Sequence, residues 1–283
     1  MAEWYTEILY PELAQRLRID KVVFHEKTRN HEIMIFEHAL LGRVLTLDGV
    51  LQVTEADEYV YHEMIAHVPL LAHGAARRVL IVGGGDGGSL RRCLMHDVEK
   101  VTVVEIDRTV VECCRRHLPA IGAGAFDDAR AELVIGDGHG FVTKTKDNFD
   151  VIIVDSTDPI GPGEALFSRQ FYAHCQRCLA PGGVLVTQNG VPFLQGDELR
   201  DAARRRGALF AHAGFYIAAI PTYYGGYMAF GWASDGADLR CQSVDEIRER
   251  FQAAGLETRF YTPEIHVGAF NLPPFIADLA RIG

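Results

Sequence analysis

The stretch Val79-Leu80-Ile81-Val82-Gly83-Gly84-Gly85-Asp86-Gly87-Gly88-Ser89-Leu90 decides the fold of this chain. Its first four residues are apolar, three of them β-branched, which predicts a strand buried on both faces. Gly83, Gly85 and Gly88 then satisfy the spacing G-x-G-x-x-G, which is typical of a tight turn from a strand into a helix beside a nucleotide. We expect the helix to begin near Ser89.

Two carboxylates refine this prediction. Glu105 ends the next apolar strand, Val101 to Val104, about 20 residues past the turn, where an acidic side chain can accept hydrogen bonds from ribose hydroxyls. Asp86 lies inside the turn, where a dinucleotide would place its pyrophosphate, and two anions this close repel by roughly a few kcal/mol in a partly buried site. Asp86 could merely cap the helix, but we favour contact with a ligand, namely an adenosine group that carries a cation.

Composition limits the class of protein and its partners. The chain has 283 residues, 48% of them hydrophobic, and a formal net charge of −10, which predicts one or two domains and favours cationic small molecules. No basic stripe stands out, so we expect no nucleic-acid partner, and we interpret Arg204-Arg205-Arg206 as a solvated helix face. No signal peptide and no apolar run long enough to span a bilayer are found, so we expect a cytoplasmic protein with no membrane partner.

The cysteines do not predict a metal site. All six are scattered, and without an export signal we expect them to be reduced. Cys175 and Cys178 fall in a helical pattern with no second ligand pair nearby, so we interpret them as packing residues rather than zinc ligands.

Residues 1–55 are predicted to form a small β-rich N-terminal lobe of three or four strands. β-Branched and aromatic residues mark these strands, and Asp48-Gly49 is a hairpin signal between the last two. The predicted strands are Lys21 to His25, Glu32 to Phe36, Arg43 to Leu47 and Val50 to Val53.

Residues 56–283 are predicted to form one α/β domain. After a helix from about Glu55 to Leu71, which would bring Tyr61, His62 and Glu63 towards the glycine turn, strands alternate with helical stretches. This alternation is the signature of a doubly wound parallel sheet, whose ligands bind at the carboxyl ends of the strands. The predicted strands are Val79 to Val82, Val101 to Val104, Glu132 to Ile135, Val151 to Val154 and Val184 to Thr187, followed by an edge hairpin of Tyr216 to Ile220 and Tyr227 to Ala233. The acidic residues that follow the first four strands are Asp86, Glu105, Asp107, Asp137, Asp155 and Asp158.

The densest chemistry lies in Asp155-Ser156-Thr157-Asp158-Pro159-Ile160-Gly161-Pro162-Gly163. Its prolines and glycines make it stiff in parts and hinged in others, as a lid must be. The segment could be only a connection with Asp155 in a turn. In the functional interpretation Asp155 is a base and Asp158 a second carboxylate, and the pair surrounds an amine and lowers the cost of positive charge there.

At this point the sequence resembles a known family. The glycine turn, Glu105-Ile106-Asp107 and Asp155 to Pro162 resemble motifs of the polyamine aminopropyltransferases, most closely the bacterial spermidine synthases. Further similar motifs are Leu47-Asp48-Gly49-Val50-Leu51-Gln52, Tyr61-His62-Glu63-Met64 and Pro221-Thr222-Tyr223-Tyr224-Gly225-Gly226, so that the similarity runs through nearly the whole chain. The resemblance implies a Rossmann-like methyltransferase-type domain with a β-rich N-terminal lobe, in a homodimer or homotetramer.

The resemblance also implies a reaction and a set of site residues. An aminopropyl group would pass from decarboxylated S-adenosylmethionine, a co-substrate rather than a cofactor, to putrescine, giving spermidine and methylthioadenosine, with Asp155 as the proton acceptor. The implied donor-binding residues are His62 and Asp86 near the aminopropyl amine, Glu105 on the ribose, Asp137 and Gly138 at the adenine, and also His31 and Pro162. The implied acceptor-binding residues are Gln52, Tyr61, His62, Asp155, Asp158 and Tyr223. Where the family usually has glutamine this chain has His31; histidine can replace an amide hydrogen bond, but its charge would be unfavourable beside a sulfonium.

The chemistry fits the residues independently of the resemblance. The leaving group of a sulfonium donor is a neutral thioether, so neither an acid nor a metal is required to assist its departure. An acceptor amine with a solution pKa of about 10, like that of lysine, must lose a proton to attack, and carboxylates already in place stabilise the charge that develops on it.

Three other functions stay open at this point. A methyltransferase that uses S-adenosylmethionine shares the domain, and a nicotinamide dehydrogenase shares the glycine turn, but Asp86 disfavours both ligands. A non-catalytic polyamine-binding protein would not need an adenosine site together with Asp155. The sequence does not separate putrescine from cadaverine or spermidine as acceptor.

Overall fold

The computed structural model describes residues 3–10, 12–158, 161–236 and 238–281, with the backbone alone of residues 161 and 162. Six strands come first. The first two pair with each other in an antiparallel ribbon, and the next four form an antiparallel sheet in sequence order. They are β1 (Glu3–Tyr10), β2 (Leu13–Ile19), β3 (Lys21–Lys27), β4 (Glu32–His38), β5 (Gly42–Leu47) and β6 (Val50–Thr54).

From α1 to β12 helices alternate with strands, except that two helices, α3 and α4, lie between β8 and β9. In chain order they are α1 (Glu58–His73), β7 (Arg78–Gly83), α2 (Gly88–Leu94), β8 (Lys100–Glu105), α3 (Arg108–His117), α4 (Pro119–Gly122), β9 (Ala131–Ile135), α5 (Gly138–Lys144), β10 (Phe149–Asp155), α6 (Arg169–Cys178), β11 (Leu179–Gln188), α7 (Gly196–Gly207), β12 (His212–Ala219), β13 (Tyr227–Ser234), α8 (Val244–Ala253), α9 (Pro263–Ala269) and α10 (Pro274–Ala280). Short 3-10 turns cover Ala125–Asp127, Gly161–Phe167 and Leu239–Cys241.

The large sheet has the strand order β12-β13-β11-β10-β7-β8-β9. Its strands β7 to β11 are mutually parallel, and β13 runs antiparallel beside β11. The order in which strands are added reverses between β7 and β10: β8 and β9 lie on one side of β7, and β10 and β11 lie on the other. β7 and β10 pair so that Gly83 lies opposite Asp155. In an open α/β sheet such a switch point forms the crevice in which ligands bind. The predicted fold class and the predicted edge hairpin are confirmed.

The central strands are buried because they are apolar on both faces. Every residue from Val79 to Val82 is buried, and so is every residue from Val151 to Val154. One hydrophobic cluster lies between this sheet and α1, and a second packs the opposite face against α6. The sheet is therefore covered on both faces, as the continuous apolar runs predicted.

Two expectations from the sequence are wrong. The N-terminal region has six strands rather than three or four. The sequence does not predict β1, because Glu7 is buried and the residues of β1 do not alternate between apolar and polar as in an amphipathic strand. Arg206 does not belong to a solvated face: its side chain is fully buried under α7, and its guanidinium carbon lies 4.6 Å from the centre of the Phe215 ring.

Cys175 and Cys178 are buried in α6, within the second cluster, as expected for packing residues.

The predicted domain boundary at residue 55 stays a prediction, although β6 ends at Thr54 and α1 begins at Glu58. Within the residues that the structure describes, no helix has the length and apolar character needed to cross a membrane.

Candidate active site

The glycine turn joins β7 to α2 at the switch point of the sheet. A Cβ atom on Gly83, which has a φ of 87°, would lie 2.1 Å from the backbone oxygen of Asp155. A Cβ on Gly88 would lie 2.2 Å from Cε1 of His62. Glycine is therefore required for β10 and α1 to approach the turn this closely.

Asp155 ends β10 and faces the turn with both carboxylate oxygens engaged. Tyr61 donates its hydroxyl to Oδ1 at 2.7 Å, and Ser89 donates its hydroxyl to Oδ2 at 2.6 Å. Burial and the neighbouring Asp86 carboxylate raise the pKa of Asp155, against the opposite effects of His62 and the two hydroxyls. A buried carboxylate with a raised pKa is a better proton acceptor than an exposed one.

His62 lies between two carboxylates on the other side of the turn. Its Nδ1 is 2.8 Å from Oε2 of Glu58, and its Nε2 is 3.4 Å from Oδ2 of Asp86. Burial by itself would lower the pKa of His62, but Asp86 and Glu58 outweigh it and raise the pKa to about 10. His62 is thus an imidazolium at neutral pH, and it holds the pKa of Asp86 below its usual range despite burial. Nη2 of Arg92 lies 3.2 Å from Oε1 of Glu58, so positive and negative groups alternate from Arg92 through Glu58 and His62 to Asp86.

Asp86 lies in the glycine turn, directly before α2. Its Oδ1 accepts a hydrogen bond from the backbone N–H of Gly88, the first residue of α2, at 2.7 Å. Its carboxylate also lines the central cavity, where a ligand can reach it.

Glu105 and His31 lie on the β8 side of the same cavity. Glu105 accepts a hydrogen bond from the backbone N–H of Asp107 at 2.9 Å, and burial raises the pKa of its carboxyl to about 7. At neutral pH it can therefore both donate to and accept from a hydroxyl group. His31 is buried just before β4, with Nδ1 2.8 Å from Oδ2 of Asp48.

Asp137 and Gly138 lie at the start of α5. The Asp137 carboxylate caps this helix by accepting hydrogen bonds from the backbone N–H groups of His139 and Gly140, at 3.1 and 2.9 Å. Gly138 packs against Val82, where an added Cβ would lie 2.3 Å from a methyl carbon. Glycine at this position therefore lets the start of α5 pack closely against β7.

Asp158 also lines the cavity. Its carboxylate accepts a hydrogen bond from Nε2 of Gln195 at 2.9 Å, and Nε2 of Gln188 lies 3.5 Å away. Burial raises the pKa of Asp158, and the two amides oppose that rise. Nearby, Tyr223 donates its hydroxyl to the backbone oxygen of Gln52.

One cavity of about 190 Å³ collects these groups. The predicted site residues that line it are His31, Gln52, Tyr61, His62, Asp86, Glu105, Asp137, Gly138, Asp155, Asp158 and Tyr223. The side chain of Pro162 lies outside the described residues, as do Pro159 and Ile160 of the predicted lid. Glu63, which the sequence placed towards the glycine turn, does not line the cavity. Its carboxylate accepts hydrogen bonds from the backbone N–H groups of residues 259–261.

Sequence reasoning missed several lining or supporting residues. Ser89 was noticed only as a helix start, although its position directly after the glycine turn was a signal. Glu7 lines the cavity and accepts a hydrogen bond from the Leu51 backbone N–H at 2.9 Å, but it lies on a strand that was not predicted. Gln188 and Gln195 carried no signal in the sequence, because only the sheet brings them to Asp158.

Comparisons with known proteins agree with this geometry. A family description named "Spermine/spermidine synthase domain" matches residues 58–243, and one named "Spermidine synthase tetramerisation domain" matches residues 3–55. Polyamine aminopropyltransferase 1 of Pseudomonas aeruginosa is 55% identical over 273 residues, 96% of each chain. The polyamine aminopropyltransferase of Salmonella newport is 55% identical over 276 residues, 97% of this chain and 96% of the other.

Solved structures are similar over almost the same extent. A spermidine synthase in complex with the transition state analogue AdoDATO superposes with a TM-score of 0.92 at 38% identity, covering 98% of this chain and 94% of the other. The spermidine synthase from Thermotoga maritima superposes with a TM-score of 0.89 at 36% identity, with the same coverage of 98% and 94%.

Proposed function

The chain belongs to the spermine/spermidine synthase family, and we propose that it moves an aminopropyl group from decarboxylated S-adenosylmethionine to putrescine, with Asp155 as the proton acceptor. The products would be spermidine and methylthioadenosine. Its relatives are polyamine aminopropyltransferases over nearly the whole chain, so the enzyme class is that of a transferase. The methyltransferase, dehydrogenase and non-catalytic alternatives therefore lose their support.

The observation that carries the proposal is the position of Asp155. Its carboxylate is fixed by two hydroxyl donors at the switch point of the sheet, in the same cavity as Asp86. In the proposed step the acceptor nitrogen attacks the aminopropyl carbon next to sulfur, and a C–N bond forms as the C–S bond breaks. Asp155 takes a proton from the acceptor ammonium so that the nitrogen can attack. The bonding electrons pass to sulfur, which leaves as a neutral thioether, and the new ammonium nitrogen keeps the positive charge.

The charges around the donor support a decarboxylated donor rather than its carboxylated parent. Asp86 is held ionised by His62 in a buried position, so it attracts the primary ammonium group of the aminopropyl chain. A donor that kept its carboxylate would bring a second anion close to Asp86 and be repelled. Glu105 would bind the ribose hydroxyls, and Asp137 with Gly138 the adenine.

The surroundings of Asp158 support a diamine acceptor. Asp158 is half-buried and contacted by neutral amides, so an ammonium group would supply the positive charge that it lacks. Gln52, Tyr61 and Tyr223 would flank the carbon chain between Asp158 and Asp155. The transfer, as proposed, needs neither a metal nor a separate cofactor.

We also propose that residues 1–55 form a lobe that assembles the chain into a homodimer or homotetramer. The match of residues 3–55 to a tetramerisation domain supports this. Light scattering coupled to size-exclusion chromatography would give the mass; a monomer at micromolar concentration would refute the assembly without touching the proposed reaction.

Turnover with defined substrates tests the function. The protein would be incubated with decarboxylated S-adenosylmethionine and with putrescine, cadaverine or spermidine in turn, and methylthioadenosine release would be followed. Release that requires both substrates and is fastest with putrescine is expected. Binding of the diamines without release, or faster release with another amine, would overturn the proposed reaction or its acceptor.

A further inference from the structure

Ser89 contacts the carboxylate that accepts the proton. It is the second residue of α2 and is fully buried, and its Oγ donates a hydrogen bond to Oδ2 of Asp155 at 2.6 Å. The Tyr61 hydroxyl occupies Oδ1, and the Gly84 backbone N–H donates to the Asp155 backbone oxygen at 2.9 Å. Each side-chain oxygen of Asp155 thus has one fixed hydroxyl donor.

We propose that Ser89 is a positioning residue for the reaction, whose hydroxyl fixes the Asp155 carboxylate and sets the pH above which it can accept a proton. The inference rests on the proposed role of Asp155 as proton acceptor. A hydrogen bond to the charged form of a carboxyl group stabilises that form, so the hydroxyl keeps Asp155 ionised at a lower pH than burial alone would allow.

Several titratable groups act on Asp155 together with Ser89. Burial and Asp86 raise its pKa, whereas His62, Ser89 and Tyr61 lower it. The titratable groups around the carboxylate are Tyr61 and His62 on α1, Asp86 in the glycine turn, Cys93 on α2, Asp158 three residues along the chain, and Tyr223 between β12 and β13. Of the two hydroxyl donors to Asp155, Ser89 has no titratable group and Tyr61 has one. Replacing Ser89 therefore changes the hydrogen bonding of Asp155 and leaves the formal charge of the site unchanged.

The partner of the Ser89 hydroxyl separates this role from a structural one. The Ser89 hydroxyl contacts a carboxylate rather than a backbone oxygen, so its loss changes the titration of Asp155 as well as the stability of the fold. Ser234 is an internal reference: it is also fully buried, but its hydroxyl donates to the backbone oxygen of Gly183 at 2.9 Å, outside the cavity of the active site.

The test compares Ser89→Ala with Ser234→Ala in the full chain. The titration of the Asp155 carboxyl is followed by ¹³C NMR without ligands, and kcat is followed against pH with both substrates saturating. In Ser89→Ala we expect the pKa of Asp155 and the acidic limb of kcat to rise together by about one pH unit. The reason is that the rate falls where the base becomes protonated. The alkaline plateau of kcat and the KM for the donor should change less than about threefold.

Ser234→Ala should lose stability without moving either pH profile. Ser89→Cys, which keeps nearly the same shape but donates only weakly, should move both profiles in the same direction as Ser89→Ala and serves if the alanine variant does not fold. A folded Ser89 variant with an unmoved Asp155 titration overturns the inference. If the carboxyl titration moves but the kcat limb does not, Ser89 does not set the pH of turnover. The role of Asp155 itself is judged separately, by its own replacement.

Discussion

At the scale of single residues, two independent sets of contacts hold Asp155 in place, one to its backbone and one to its carboxylate. The backbone is set by the parallel pairing of β10 with β7, and the carboxylate by Tyr61 and Ser89. A substitution that keeps the shape of the side chain should therefore leave the turn and the donor site intact. Substitutions of Asp155 and Asp86 by asparagine can therefore test function without disrupting the fold.

Asp155→Asn is expected to lose turnover and retain donor binding. Removing a positioned base typically lowers the rate by about 10²–10⁴-fold, while Asp86, Glu105 and Asp137 remain in place to hold the donor. Single-turnover kinetics with saturating donor, together with donor calorimetry, would measure the two effects. Raising the pH should partly restore the rate, because more of the amine is then neutral.

Asp158→Asn is the matched comparison for that experiment, because it makes the same substitution at the second carboxylate of the segment that follows β10, in the same cavity. It should raise the KM for the acceptor more than it lowers turnover. Turnover of Asp155→Asn within a few-fold of the parent at pH 7 would place the base elsewhere.

Asp86→Asn is expected to change which donor is preferred. The amide can still accept the hydrogen bond from Gly88, so the turn should persist, but the anion that attracts the aminopropyl ammonium is gone. Affinity for the decarboxylated donor should fall and that for carboxylated S-adenosylmethionine should rise, changing their ratio by about tenfold or more. Calorimetry on both ligands measures this ratio; a constant ratio would remove Asp86 from donor selection.

At the scale of elements, α7 is anchored to the sheet by a buried cation. Arg206 donates hydrogen bonds to the Thr187 hydroxyl and the Asn189 amide oxygen, both at 3.0 Å, and packs on the rings of Phe215 and Tyr172. Within the described residues it forms no salt bridge with a carboxylate. Its contribution should therefore come from packing and cation–π contacts rather than from charge pairing.

Arg206→Ala is accordingly expected to destabilise the fold by about 2–5 kcal/mol, the range for large side chains removed from a core. Arg206→Met should cost less, because it refills the volume and strands no buried carboxylate. Denaturant unfolding measures both. Arg204→Met, on the exposed side of the same helix, should stay within about 0.5 kcal/mol of the parent. Equal losses for Met and Ala at position 206 would mean that the charge itself stabilises α7.

At the scale of the whole molecule, buried histidines make stability depend on pH. Burial lowers the pKa of His67, His96 and His266, in the last two to about 4 and about 3. An unfolded histidine has a pKa of about 6.5, so below that pH the unfolded chain binds protons that the folded chain does not. His62 has the opposite sign: its raised pKa stabilises the fold fully below about pH 6.5, and this contribution is lost as the pH rises towards 10.

The free energy of unfolding is therefore expected to fall as the pH drops from 6.5 towards 4. Each of the three histidines can contribute up to about 1.4 kcal/mol per pH unit. Urea unfolding at pH 7.5, 6.5, 5.5 and 5.0 would give the slope. His96→Gln should reduce that slope by removing one of the titrating groups, and an unchanged slope in this variant would show that His96 does not contribute to the acid sensitivity.

The sequence by itself determined the large sheet and the edge at which the site forms. Continuous apolar runs require burial on both faces, and the glycine turn permits a close approach that no other residue allows. Carboxylates at the ends of consecutive parallel strands must meet at one edge of the sheet, so Asp86, Glu105, Asp137 and Asp155 could be grouped before any coordinates were known. These features depend on local pattern and on a topology rule.

Only the tertiary structure decided which side chains touch. Ser89 and Asp155 are 66 residues apart, and Glu63 bonds the backbone near Tyr261 across 198 residues, so no local period encodes either contact. Glu7 interrupts the pattern of β1 because its carboxylate accepts a hydrogen bond from a backbone N–H 44 residues away. Arg206 is buried with Nη1 bonded to two polar groups and its guanidinium packed on two rings. A polar group in a folded chain can be buried wherever distant partners satisfy it, and those partners are fixed by packing rather than by the neighbouring sequence.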